Sequence, residues 1–339
     1  MDYPLLSISC ITYNHEPFIK ECLEGFLLQK TNFEFEVLIH DDASLDNTAN
    51  IIKEYEMKYP DLFRVIYQNE NQYSKGVKTI NPKFNYPRAR GKYIALCEGD
   101  DYWTDPYKLQ KQVDFLEANS DYDLVYSDID FYYQKTKVTK KSVFKNNMVK
   151  RSSNFEEHLI NRSYLAPPTW LFRKEALCKL QINEKAYRNI DGTFVLMLNF
   201  LKNERVYFME ESTAVYRILE ESASHSKSEE KMFKYNLGVF DIQKQFIEQG
   251  EVSQETTDKI LFKNYTKYFE AAIKFEHFDF QKEAIDYFKS KNIHDFFLNH
   301  FVEKTKERIR LKEDRNLLLN SYSYKLGSKI LKPLKLFRK

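Results

Sequence analysis

Lys92-Tyr93-Ile94-Ala95-Leu96-Cys97-Glu98-Gly99-Asp100-Asp101-Tyr102-Trp103 is the stretch on which the reading of this chain turns. Its first half is a short, largely apolar run, the pattern of a strand buried in a sheet. It stops abruptly at three carboxylates within four residues, Glu98, Asp100 and Asp101. Such groups repel one another, and a solvated helix face tolerates that repulsion. At the end of a buried strand the same oxygens suit a hard divalent cation such as Mg2+ or Mn2+. A loop of capping carboxylates is the competing reading.

The flanking sequence repeats the theme. Leu5 to Thr12 reads as a strand, and Pro17 to Gln29 carries a helical stripe of Phe18, Ile19, Cys22, Leu23, Phe26 and Leu27. Phe35 to His40 is a second strand, ending at Asp41-Asp42. Asp46 is placed to cap a helix to Lys58. Phe63 to Tyr67 adds a strand, Tyr107 to Glu117 a helix, Tyr122 to Tyr133 further strand character, and Arg205 to Phe208 a late strand. Alternating strands and helices predict an α/β fold, a mainly parallel sheet flanked by helices. Ligands of such sheets lie beyond the carboxyl ends of the strands, where both acidic pairs fall. A carboxylate at Asp42 can accept hydrogen bonds from a base or ribose.

Composition bounds the alternatives. The 339 residues are 42% hydrophobic, enough for a sizeable core. With 52 basic and 50 acidic residues the chain carries no overall nucleic-acid footprint. Cys10, Cys22, Cys97 and Cys178 are scattered, which predicts buried thiols rather than disulfides or a zinc site. No GxGxxG, P-loop, HExxH or GxSxG is present. Met1 to Pro4 has no signal-like character and no run approaches ~20 apolar residues, so the expected location is cytoplasmic.

Ile11-Thr12-Tyr13-Asn14-His15, Asp41-Asp42-Ala43-Ser44 with Asp46-Asn47-Thr48, and Gly91-Lys92-Tyr93-Ile94-Ala95 leading into Glu98-Gly99-Asp100-Asp101 together resemble, in order and spacing, the family 2 glycosyltransferases of the GT-A fold. The resemblance implies inverting transfer of a sugar from a nucleotide-diphospho-sugar, such as a UDP-sugar, to a glycan or lipid-linked acceptor in surface polysaccharide synthesis. It also implies Mg2+ or Mn2+ as cofactor. Residue by residue, it implies that Thr12 and Tyr13 line the nucleotide pocket and that Asp42 contacts the base. Asp100 would lie near the ribose and Asp101 would ligate the metal, although a strict DxD spacing pairs Glu98 with Asp100. Asp191, opening a helix to Leu201, fits the family's catalytic base, with a plain helix cap as the alternative. Arg217 would meet phosphate and His225 the metal or diphosphate. Trp170 is placed either to stack a sugar or to fill the core. A sugar-nucleotide pyrophosphorylase would need a Gly-rich basic loop where Tyr13 to Pro17 stands, and the presence of both Asp101 and Asp191 argues against a non-catalytic sugar- or nucleotide-binding subunit.

Lys135 to Asn154 reads as a basic surface loop or linker. Strand character fades after Ser228, so three segments are expected: a catalytic domain over 1–228, a helical region over 229–320, and a basic amphipathic tail over 321–339. The tail has six basic residues and no acidic one, and is expected to hold an anionic membrane surface.

Overall fold

The computed structural model describes residues 3–77, 79–152, 154–163, 166–179, 192–202, 205–220 and 228–293. Asp191, His225 and the basic tail lie outside them. The chain forms two compact units, residues 1–260 and 261–339.

The first unit is built on one sheet. β1 (Leu6–Thr12) runs parallel to β2 (Phe35–Asp41) on one side and to β4 (Tyr93–Leu96) on the other, and β3 (Phe63–Tyr67) continues beyond β2. β1 and β4 are buried along nearly their whole length. β4 is apolar throughout, whereas β1 alternates: its Ser7 and Ser9 are buried and donate to Glu36 and to Asn81. α1 (Ile19–Leu27) and α2 (Thr48–Lys58) connect the first three strands. Asp46 caps α2 from outside its first turn: one carboxylate oxygen accepts the Thr48 N–H at 3.0 Å and the other the Glu16 N–H at 3.0 Å. Burial is the largest single influence and raises its carboxyl, but the bonds from the Thr48 hydroxyl and from the Thr48 and Glu16 N–H groups together outweigh it and hold it below the ordinary value.

Beyond β4 the sheet becomes mixed. β5 (Tyr102–Trp103), α3 (Lys108–Ala118), β6 (Leu124–Tyr133) and β7 (Val138–Lys140) follow, then α4 (Phe155–Asn161), β8 (Leu171–Arg173), α5 (Lys174–Lys179), α6 (Gly192–Lys202) and β9 (Val206–Ile218). The sheet order is β3-β2-β1-β4-β8-β6-β9-β5, with β7 on the edge of β6. β8 is antiparallel to β4 and β6, β5 is antiparallel to β9, and β6 is parallel to β9. The sheet is thus mainly parallel, as expected, with antiparallel pairing confined to the short strands β5, β7 and β8. The last strand is longer than the expected Arg205 to Phe208. It follows β6 through bulges at Ser127/Asp128 and Asp128/Ile129 that break the alternation by which a strand is recognised. Trp170 is buried in the core, so its ring is not available to stack a sugar.

α7 (Glu229–Glu248) also belongs to the first unit. Phe246 meets Phe155 of α4 with ring centroids 5.5 Å apart, and Gln243 donates to the Leu159 carbonyl. The division falls within α8 (Gln254–Lys274). In the second unit Tyr265 packs against Phe280 and Tyr287 of α9 (Phe278–Ser290). No described helix is long and apolar enough to cross a membrane.

The approach to β4 depends on the absence of a side chain. A Cβ on Gly91 would lie 2.5 Å from the Ser7 nitrogen and 2.6 Å from the Leu6 carbonyl carbon, both backbone. Gly91→Ala is therefore expected to destabilise the fold by about 2 kcal/mol, as other forced overpacking does, measured as a lower urea midpoint with unchanged slope.

Candidate active site

Three strand ends meet at one place. The Thr12 carbonyl, last in β1, accepts the Asp42 N–H at 3.0 Å, and the Ile11 carbonyl accepts the Gly99 N–H at 3.0 Å. The two acidic segments are thus hydrogen-bonded to opposite sides of one strand end.

Around Gly99 the packing is close. A Cβ there would come within 2.6 Å of Thr12 Oγ1 and 2.9 Å of His15 Nδ1. Thr12 Oγ1, His15 Nδ1 and Asp100 Oδ1 are all buried polar atoms with no hydrogen-bond partner, and His15 Nε2 lies 4.0 Å from Asp100 Oδ2. Native proteins rarely leave three such atoms side by side unsatisfied. They form a polar, incompletely bonded surface at the strand ends. Tyr13 stands beside it, 39% exposed. Asn14, in left-handed backbone (φ 55°), joins this turn to the β2 end: its N–H donates to Ser44 Oγ and its Oδ1 accepts the Leu45 N–H.

Asp101 is placed differently from its neighbour. It is 1% exposed, and its Oδ1 accepts the backbone N–H of Arg217 at 2.8 Å. Burial first, and then the charge of Asp100, raise its carboxyl well above the ordinary range, with the Arg217 N–H only partly opposing them. The carboxylate assigned to the metal by sequence therefore ties the acidic loop to β9, while Asp100 is the one with an unsatisfied buried oxygen. Arg217 is also engaged. Its guanidinium pairs with Glu21 of α1 and lies over Tyr102 (4.6 Å), Phe18 (5.2 Å) and Tyr132 (5.7 Å).

Asp42 holds a loop in place. Its two carboxylate oxygens accept the N–H groups of Gln72 (2.8 Å) and Tyr73 (3.0 Å), and its carbonyl accepts from Asn71. Asp41 turns the other way, onto the Ser44 hydroxyl and N–H. Burial raises its carboxyl although those bonds oppose it.

Asn81 to Arg88, a segment without a sequence motif, folds as a π-helical turn (Asn81–Asn85) running into a short tight turn (Tyr86–Arg88) beneath the site. Asn85 bridges Ser9 Oγ, the Cys10 carbonyl and Asn81 Oδ1. Arg88 reaches the Ile39 and Arg64 carbonyls. π-helical turns recur at functional sites, but two prolines and no periodicity leave nothing in the sequence to mark this one. A small cleft opens beside it, lined by Ser9, Asn81, Glu98, Pro167, Pro168 and Thr193. Thr193 stands in the first turn of α6, two residues after Asp191. That puts the start of α6 on the same cleft as the acidic loop.

The donor set can be tested against a cation. Among the described residues no three His, Cys, Asp or Glu side chains are gathered to hold one. Asp100 offers a half-buried carboxylate with an unsatisfied oxygen, and Glu98 is exposed in the same turn. One or two carboxylates completed by substrate phosphates is the usual protein share of an Mg2+ site, so the residues fit a cation that arrives with a diphosphate.

Residues 7–180, 174 of the 339, match the glycosyl transferase family 2. The chain belongs to that family. Membership assigns it to the transferase enzymes. A curated glycosyltransferase of Methanocaldococcus jannaschii, itself uncharacterized, is 30% identical over 223 residues, 64% of this chain and 72% of that protein. An uncharacterized protein of Mycobacterium tuberculosis is 47% identical over 129 residues, 38% of this chain and only 36% of its own length. A Bacillus subtilis protein provisionally named as a teichuronic acid biosynthesis glycosyltransferase, TuaG, is 27% identical over 66% of this chain and 83% of its own. Among solved structures, S. aureus TarS with UDP-GlcNAc aligns at a TM-score of 0.54 and 21% identity over 78% of this chain and 72% of that one. The mannosyltransferase PcManGT of Pyrobaculum calidifontis, with GDP-Man and Mn2+, aligns at 0.50 and 14% over 97% and 84%. At those identities the likeness establishes the GT-A fold alone.

The raised Asp101 carboxyl gives a pH prediction. An acid whose folded pKa exceeds its unfolded value of 3.8 favours the fold while protonated. In chelator, that contribution is fully present below pH 3.8 and is lost as pH rises through the folded value. Asp101→Asn keeps an acceptor for the Arg217 N–H without the charge. The difference in Tm between variant and parent should therefore move in the variant's favour as pH rises over that window, measured by thermal unfolding in chelator.

Proposed function

We propose that this chain transfers a sugar from a nucleotide-diphospho-sugar to a hydroxyl of a glycan or lipid-linked acceptor in surface polysaccharide synthesis, inverting the anomeric carbon in a single displacement. The observation that carries this reading is the unsatisfied polar surface of Thr12, His15 and Asp100, at the carboxyl ends of two parallel strands and beside an exposed tyrosine. An incompletely bonded acidic surface there suits a diphosphate and its cation, and an exposed ring suits a nucleoside. The ligands of TarS and PcManGT, UDP-GlcNAc and GDP-Man with Mn2+, make nucleotide-diphospho-sugars the class to test, UDP-sugars first.

The residues divide the work as follows. Asp100, with Glu98 exposed in the same turn, would hold Mg2+ or Mn2+, which when bound neutralises the charge that develops on the leaving diphosphate. Asp101 keeps Asp100 in position by tying the loop to β9, and the Glu21–Arg217 pair braces the same junction. His225 would join the diphosphate side once donor binds. Tyr13 and Thr12 border the nucleoside. Asp42, whose Oδ2 keeps a lone pair beyond its bond from the Tyr73 N–H, would accept from the base. Asp191 would take the proton of the acceptor hydroxyl as that oxygen bonds to the anomeric carbon and the bond to the diphosphate breaks. Its place just before α6, whose Thr193 lines the cleft, supports that role.

Asp100→Ala is expected to abolish Mn2+-dependent donor binding, read as loss of the thermal shift that a UDP-sugar with Mn2+ gives the parent chain. Asp191→Ala should retain that shift and lose turnover by 10²-fold or more, the order of a general-base contribution. Normal transfer by Asp191→Ala would remove it as the base, and a chain that binds donors without any turnover would be a binding subunit.

A further inference from the structure

The segment after β6 carries charge that the candidate site does not use. From Gln134 to Arg151 the chain has six lysines, one arginine and no acidic residue, and all seven basic side chains are exposed. Lys135 pairs with Glu220 and Lys150 with Glu157, while Arg151 lies over Phe208. Lys137, Lys140, Lys141 and Lys145 have no carboxylate partner among the described residues. Lys137 and Lys140 rest over Tyr132 and Tyr133, at 6.0 and 5.1 Å from their ring centroids.

This stretch is held, not loose. Asp128, fully buried, accepts the Phe144 N–H (3.0 Å) on one oxygen and the Lys145 N–H (3.1 Å) on the other. Asp130 Oδ1 accepts the Ser142 N–H at 2.8 Å, and Val143 is wholly buried. Two carboxylates of β6, one buried and one half-buried, thus fix a lysine-rich surface. Within it, two aliphatic side chains face solvent: Val138, 49% exposed beside a left-handed Lys137 (φ 58°), and Met148, 50% exposed. A merely solvated loop needs neither the frame nor the aliphatics, and a track for a soluble polyanion needs only the charge. Lysines interspersed with exposed aliphatic groups fit an anionic bilayer surface, where the ammonium groups meet phosphate headgroups and the aliphatic groups enter the interface.

We propose that the β6–β7 edge, from Lys137 to Met148, docks this chain on an anionic lipid surface. The edge lies near the acidic loop. Arg217, hydrogen-bonded to Asp101, is in register with Tyr132, and Tyr132 with Thr139. Three strand spacings of ~4.8 Å put the edge ~14 Å from Asp101. Docking there brings the strand ends toward the leaflet, where a lipid-linked acceptor would present its hydroxyl. That consequence rests on the proposed function, whereas the docking itself does not.

The test is sedimentation of the full chain with vesicles of phosphatidylcholine alone or mixed with phosphatidylglycerol, at low and high salt, and separately with soluble polyphosphate. Binding is expected to the mixed vesicles only, weakening with salt. The triple variant Lys137→Gln, Lys140→Gln, Lys141→Gln should lower the partition coefficient on the order of 100-fold, the attraction of three surface lysines. Met148→Ser should lower it about 5-fold at every salt concentration. All four side chains are exposed, and unchanged circular dichroism and Tm would show that the variants fold. Failure of the parent to bind either vesicle overturns the proposal, as does undiminished binding by the triple variant. Lysine-dependent binding to polyphosphate without vesicle binding overturns it in favour of a polyanion track. None of these outcomes bears on donor binding or turnover.

Discussion

Everything at the strand ends depends on how β1 finishes. Its last two carbonyls face opposite neighbours, Thr12 toward Asp42 and Ile11 toward Gly99. Both acidic segments are therefore set by main-chain geometry before any side chain is considered. The carboxylates repel one another, and this arrangement makes the repulsion affordable by giving each a separate direction. Asp42 faces the 71–73 loop, Asp101 faces β9, and Asp100 is left toward the shared opening.

That separation explains why neighbouring aspartates do different work. Asp101 is buried and bonded, and the cost of its charge appears in its raised pKa. Asp100 is less buried and has an oxygen with no protein partner. A strongly perturbed group in a cleft is often a functional one, but structural junctions perturb pKa values as well, and here Asp101 has the contacts of a junction. Bonding distinguishes the two aspartates better than titration does.

The first half of the fold was legible because β1, β2 and β4 are strand-like runs, the last two leading into Asp pairs, with amphipathic helices between β1, β2 and β3. The strand-end position of both acidic pairs followed from topology alone. What could not be read depends on contacts between distant residues. Arg217 offers a phosphate-binding group in sequence, yet three aromatic rings and Glu21, from three separate parts of the chain, claim it. β9 was read too short because the bulges opposite Ser127 and Asp128 shift its register midway. Lys135 to Asn154 looked like a linker because the carboxylates that order it, Asp128 and Asp130, belong to the preceding strand.

The bond from β9 to Asp101 has one more implication. Its donor is the peptide N–H of residue 217, which nineteen of the twenty amino acids supply equally well. The junction should therefore accept wide variation in side chain at that position, with the brace to Glu21 lost but the tether kept. Proline alone, lacking the N–H, would leave the buried carboxylate with nothing to hold.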